Sequence, residues 1–107
     1  MNPYNRRAVL DIVYVVAEHF GLQPGDILGG SRAQIPSRAR AVTYALARDL
    51  TKLSFPEIGV QLNRDHTSVM SGVRSAAVRA KSDEHFAKSV AICRVAALEY
   101  QASRRVA

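Results

Sequence analysis

Two helix-start signals stand close together in the middle of the chain, and they leave few folds open. Ser54-Phe55-Pro56-Glu57 combines a capping Ser, a Pro within the first turn and a Glu three residues after the cap. In that arrangement side chains satisfy the unpaired N–H groups of a new helix. Asp65 is a second cap, and the helical pattern behind it runs from about His66 to Ala80 with Val69, Val73, Ala76 and Ala77 on its inner face. Between the two starts there is room only for a short helix, buried at Ile58 and Leu62, and a turn over Asn63 to Asp65. A short helix, a tight turn and a second helix form the helix-turn-helix arrangement, which also occurs in many all-α proteins that bind no nucleic acid.

The remaining segments are also helical. Val9, Ile12, Val13, Val16 and Phe20 recur at helical spacing and Gly21 supplies a stop. Leu22 to Asp26 is a turn by composition, Ile27-Leu28 adds one short helical turn, and Gly29 to Pro36 is a polar connection. Pro36-Ser37 opens a long helix to about Thr51 with Ala39, Val42, Leu46 and Leu50 inward. Ser82 is the expected cap of a last helix lined by Phe86, Val90, Cys93 and Ala97. No segment alternates with period two, so the expected fold is all-α: a compact helical bundle with a central helix-turn-helix and an extra C-terminal helix. The 107 residues are expected to form one domain, with the helix-turn-helix at about 55–80 and frayed ends at 1–4 and 102–107.

A hydrophobic fraction of 48% with 22% charged residues lies in the globular range. The single Cys, Cys93, excludes an intrachain disulfide and suits a reducing compartment. The apolar run from Ala8 to Ala17 is broken by Asp11 and is too short to span a bilayer. These features predict a cytoplasmic, soluble protein with no membrane partner. The net charge is +6, and its placement is informative. From Ser31 to Lys81 there are nine Arg and Lys against three acids, so the whole excess lies in the middle and the flanks are balanced. A cationic segment in a neutral scaffold is the pattern of a polyanion-binding surface.

The stretch NRDHTSV, residues 63–69, holds Asp65, His66 and Ser68, the residue types of a hydrolase triad. Neighbours at a helix start do not face one another, however, and triads are assembled from distant segments. His19, His66 and His85 are scattered, and no phosphate-binding glycine loop or metal-ligand spacing occurs. The sequence therefore predicts no enzyme, no cofactor and no metal. Direct readout explains the stretch better. Arg64 can reach a guanine edge or a phosphate, Asp65 can accept from a base amino group, His66 can donate or accept, and the Thr67 methyl can pack on a thymine methyl.

These residues resemble the C-terminal DNA-binding domain of the bacterial chromosomal replication initiator DnaA. The likeness is carried by RAVTYALARDLTKLSFPEI from Arg40 to Ile58, by Gly59 to Val69 with its RDHTSV, and by AEHFGLQPGDIL from Ala17 to Leu28. It implies a Trp repressor-like helix-turn-helix that binds double-stranded DNA at a nonameric, A/T-rich box, as a monomer on an asymmetric site. Arg64, Asp65, His66, Thr67 and Ser68 would then read bases in the major groove. Arg32 would enter the neighbouring minor groove, where narrow A/T tracts concentrate negative potential. Arg38, Arg40, Arg48, Lys52 and Arg74 would hold phosphates, which set register rather than specificity.

Several positions depart from the family pattern. The turn before Arg64 is one residue shorter and carries Asn63, a residue that tolerates the left-handed conformation. Ser68 and Ala41 replace a Thr and a Gln, so sequence preference is expected to differ and affinity to be lower. The chain has no room for the family's ATPase module. From its opening Met and complete first helix an independent gene product is expected, with an excised piece of a longer chain as the alternative. Such a module would occupy initiator boxes, competing with or assisting the full-length initiator, or regulate genes nearby. The competing class is a helical adaptor that docks on the replication machinery with weak or non-specific DNA binding.

Overall fold

A computed structural model describes the backbone of residues 3–106 and the side chains of residues 7–103. Six helices follow one another: α1 (Pro3–Phe20), α2 (Pro24–Leu28), α3 (Gln34–Thr51), α4 (Phe55–Leu62), α5 (His66–Ser82) and α6 (Glu84–Val106). No strand occurs among the described residues. Helix α3 lies at the centre and packs on α1, α5 and α6, while α4 rests on α5 and α1.

The core is built from the stripes that the spacing predicts. Val9, Ile12, Val13 and Val16 of α1 meet Ala39, Val42 and Leu46 of α3, Ile58 and Leu62 of α4, Val69 and Ala76 of α5, and Phe86, Cys93 and Ala97 of α6. Each large side chain among them contributes about 1.5–3 kcal/mol by leaving water. Ala77, expected on the inner face of α5, is exposed. Two polar ties add to this packing. Gln61 Oε1 accepts from the Val9 N–H at 3.1 Å, holding α4 to α1, and Arg94 pairs with Asp49 at 2.6 Å, holding α6 to α3.

Helix ends follow local chemistry. Gly21 adopts φ +69°, and the Leu22 N–H reaches back to Ala17 O at 2.8 Å, closing α1 in a Schellman turn. Asn63 does the same for α4 at φ 58°, with the Arg64 N–H on Gly59 O at 2.9 Å. Ser54 and Glu57 form the expected reciprocal capping box. Several boundaries differ from the sequence reading, and α2 begins at Pro24, inside the stretch read as a turn. Helix α3 begins at Gln34 and takes Pro36 into its first turn, where no N–H is needed. Helix α5 runs through Ser82, and Asp83 caps α6 instead, its Oδ1 accepting the Phe86 N–H at 2.9 Å. An ionised carboxylate is the stronger acceptor, and Arg38 and Arg79 flank it at 3.8 and 3.5 Å. Helix α1 starts at Pro3 and α6 continues to Val106; of the ends expected to fray, Met1, Asn2 and Ala107 lie outside the described residues.

Two close approaches position α5. At Gly59 an added Cβ would stand 2.4 Å from Arg64 O, so the chain leaving the turn lies directly on α4. At Gly72 an added Cβ would stand 2.4 Å from the Tyr44 ring of α3. The nearly buried Tyr44 ring thus sits in a notch on α5 that only glycine leaves open.

Candidate nucleic-acid interface

The amino-terminal tip of α5 is turned outward. Asp65, His66, Thr67 and Ser68 are all exposed, while Val69, the next residue, is fully buried and anchors the first turn. Asp65 Oδ1 accepts the Ser68 N–H at 2.8 Å and the Thr67 hydroxyl at 2.6 Å. The Thr67 hydroxyl, and after it the Ser68 N–H, hold the Asp65 carboxyl below the usual carboxylate range. Asp65 is therefore an anionic cap that orders the side chains beside it. With the Thr67 hydroxyl turned to the cap, its methyl group is the portion left for an outside contact. The Ser68 hydroxyl also lies within reach of the Asp65 carboxylate, and the exposed His66 ring can donate or accept.

Arg64 is placed differently from its neighbours. Its guanidinium is partly buried and donates through Nη1 to Leu28 O at 3.0 Å and Asn63 O at 3.1 Å, and through Nη2 to Gly29 O. Arg40 approaches the same loop from α3, donating to Ile27 O at 2.8 Å, Gly29 O at 3.0 Å, Ser31 O at 3.1 Å and Asp26 O at 3.2 Å. Burial, and then the nearby Arg64 charge, push the Arg40 guanidinium below its ordinary value. Two forked cations thus share one glycine carbonyl and gather the segment from Asp26 to Ser31, the end of α2 and the loop after it. Five donors in a plane can satisfy several carbonyls at once, which Lys cannot do. Both side chains are committed within the protein, whereas the sequence reading assigned Arg64 to a base edge or a phosphate and Arg40 to phosphate.

The clamp joins two surfaces. Arg32 is exposed on the loop that follows Gly29, and the loop is tied to the turn that launches α5. Of the other predicted phosphate contacts, Lys52 and Arg74 are exposed. Lys52 caps α3 in the left-handed conformation at φ 58°. Arg48 donates to Leu53 O at 3.0 Å and lies over the Phe55 ring at 4.4 Å, so it braces the start of α4. Arg38 faces Asp83 at the joint between α5 and α6.

Beside the tip of α5, an exposed apolar residue of α4 escaped the sequence reading. Val60 is 83% exposed and shares a shallow cleft with Pro56, Asn63, Arg64 and His66. Its signal was present, because Val60 falls off the Ile58–Leu62 stripe and stands on a face that solvent would otherwise favour as polar.

A short helix crossed by a second one, with the second presenting polar side chains from its first turn beside a cationic loop, defines a DNA-binding helix-turn-helix domain. A family model described as the bacterial dnaA protein helix-turn-helix matches residues 9–75, and the chain belongs to that family. It is similar to the chromosomal replication initiator protein DnaA of Thermus thermophilus, 39% identical over 75 residues. The DnaA proteins of Neisseria meningitidis and Cereibacter sphaeroides are 37% identical over 78 residues and 38% over 80. The matches cover 69%, 72% and 74% of this chain but only 17%, 15% and 18% of the respective relatives. The chain thus spans less than a fifth of the length of these initiators. No helix among the described residues is long and apolar enough to cross a membrane.

Proposed function

We propose that the protein binds double-stranded DNA sequence-specifically at DnaA-box-like sites, with the tip of α5 in the major groove and Arg32 in the adjoining minor groove. The observation that carries this reading is the exposed, cap-ordered set His66, Thr67 and Ser68 beside the loop of Arg32, tied to it by Arg64. His66, Thr67 and Ser68 read base edges, and Val60 lies against the sugar or a thymine methyl at the groove wall. Asp65 acts mainly as the cap. The backbone N–H groups of the first turn of α5 draw the phosphate chain. Lys52 and Arg74 supply direct phosphate contacts, while Arg40, Arg48 and Arg64 position the elements that touch DNA and lend their charge at short range. At such sites the protein competes with or assists the full-length initiator, or modulates transcription nearby, in the cytoplasm at the nucleoid.

Titration of labelled duplexes with and without an initiator box, at several salt concentrations, tests this. His66→Ala or Thr67→Ala is expected to weaken box binding by roughly 1–3 kcal/mol and binding to random duplex much less. Equal losses on both duplexes would remove the base-reading role. The adaptor reading draws on exposed apolar residues of α6, and failure to bind either duplex would favour it.

A further inference from the structure

The outward face of α6 carries apolar residues that the fold leaves uncovered. Opposite Phe86, Cys93 and Ala97, which are buried, lie Ile92 at 56%, Val95 at 57% and Leu98 at 49% exposure. At 3.6 residues per turn these three fall on one side of the helix, with Ala91 between them and Lys88 and Glu99 at the two ends. Lys88 and Glu99 are exposed and have no ion-pair partner among the described residues. The face is continuous and sits on a helix anchored to the body by the buried Phe86, Cys93 and Ala97.

The spacing along this face is its own mirror. Lys88, Ile92, Val95 and Glu99 are separated by four, three and four positions. A two-fold axis midway between Ile92 and Val95 lays a second α6 antiparallel on the first. It brings Ile92 against Val95 of the partner subunit, and Lys88 against Glu99 of the partner subunit, each pair occurring twice. All four residues lie on the side of the helix that such an axis faces to itself. The reverse holds for a parallel pairing, which would set Lys88 against Lys88 of the partner subunit.

We infer that the outward face of α6 is an isologous interface through which two copies of this chain associate, apolar centre to apolar centre and lysine to glutamate. This differs from the monomer expected from the sequence. A single helix pair lies at the small end of stable interfaces, so association is weak and concentration-dependent. Together with the DNA-binding reading, on which this consequence rests, the pair presents two α5 tips and occupies two neighbouring boxes more tightly than one.

Sedimentation equilibrium of the whole chain without DNA, from low micromolar to near millimolar concentration, is the test. The wild type is expected to pass from monomer to dimer. Val95→Lys, at an exposed position, is expected to leave the helical circular dichroism unchanged and abolish the dimer. Lys88→Glu and Glu99→Lys, taken singly, set like charges together twice per dimer and weaken it by about tenfold. The double reversal Lys88→Glu with Glu99→Lys restores it. A monomer across the whole range overturns the inference, as does a dimer indifferent to Val95→Lys or a double reversal that adds the two losses. Affinity for one isolated box is read in parallel. It stays unchanged in every variant, so loss of box binding in the wild type is a failure of the DNA-binding reading alone.

Discussion

Gly59 lies where the turn of the helix-turn-helix doubles back on its first helix, and a methyl group there would collide with a backbone oxygen, Arg64 O, rather than with a movable side chain. Gly59→Ala is therefore expected to cost about 1–3 kcal/mol, read as a lower urea midpoint with an unchanged slope. Asn63 was legible as a left-handed position because Asn tolerates φ near +60°; the crowding at Gly59 was not, since it depends on where the chain goes five residues later. Cys93 is buried, and burial pushes its thiol up to about 11. At neutral pH it is expected to resist alkylation in the native state and to react at the rate of unfolding once urea is added. Rapid labelling of the folded protein would contradict that placement.

At the level of elements, each helix after α3 starts on a carboxylate: Glu57 with Ser54 at α4, Asp65 at α5 and Asp83 at α6. All three are held below their ordinary values, Glu57 by the Ser54 backbone N–H, Asp65 by the Thr67 hydroxyl and Asp83 by the Phe86 N–H. A depressed carboxylate contributes stability above its unfolded pKa, and loses it as pH falls through its folded one. Stability is thus expected to be steady at neutral pH and to decline once pH drops below about 4. Amide exchange should show the first turns of α4, α5 and α6 opening first. These caps were readable because a cap acts over three residues; only Ser82 misled, being one position short of the stronger acceptor Asp83. The clamp of Arg40 and Arg64 on residues 26–31 was invisible to a reading by neighbours, because it spans up to 36 positions. It predicts that Arg64→Lys weakens box binding nearly as much as Arg64→Met, since Lys keeps the charge but lacks the fork. Near-wild-type affinity for the Lys variant would return Arg64 to direct phosphate contact.

For the molecule as a whole, nine cations between residues 31 and 81 imply an intensely charged surface, yet the fold engages several of them internally. Arg38, Arg40, Arg48, Arg64 and Arg79 face carbonyls, rings or Asp83, which leaves Arg32, Lys52, Arg74 and Lys81 as exposed cations without such partners among the described residues. Binding should therefore depend on salt with a logarithmic slope of about −3 to −4, shallower than nine free charges would give. The location of the charge could be read from the chain, but its division between inner brace and outer contact could not. That division follows from tertiary neighbours.

The ring of Tyr44 seated over Gly72 has an effect that reaches beyond stability. A flat plate lodged in a slot stops a cylinder from rolling, and under the proposed base-reading role the angle at which α5 is halted decides which of its side chains would point at the bases. Tyr44→Leu, which keeps the bulk and loses the plate, is expected to change the duplex selected from a random pool although nothing near the DNA has been altered.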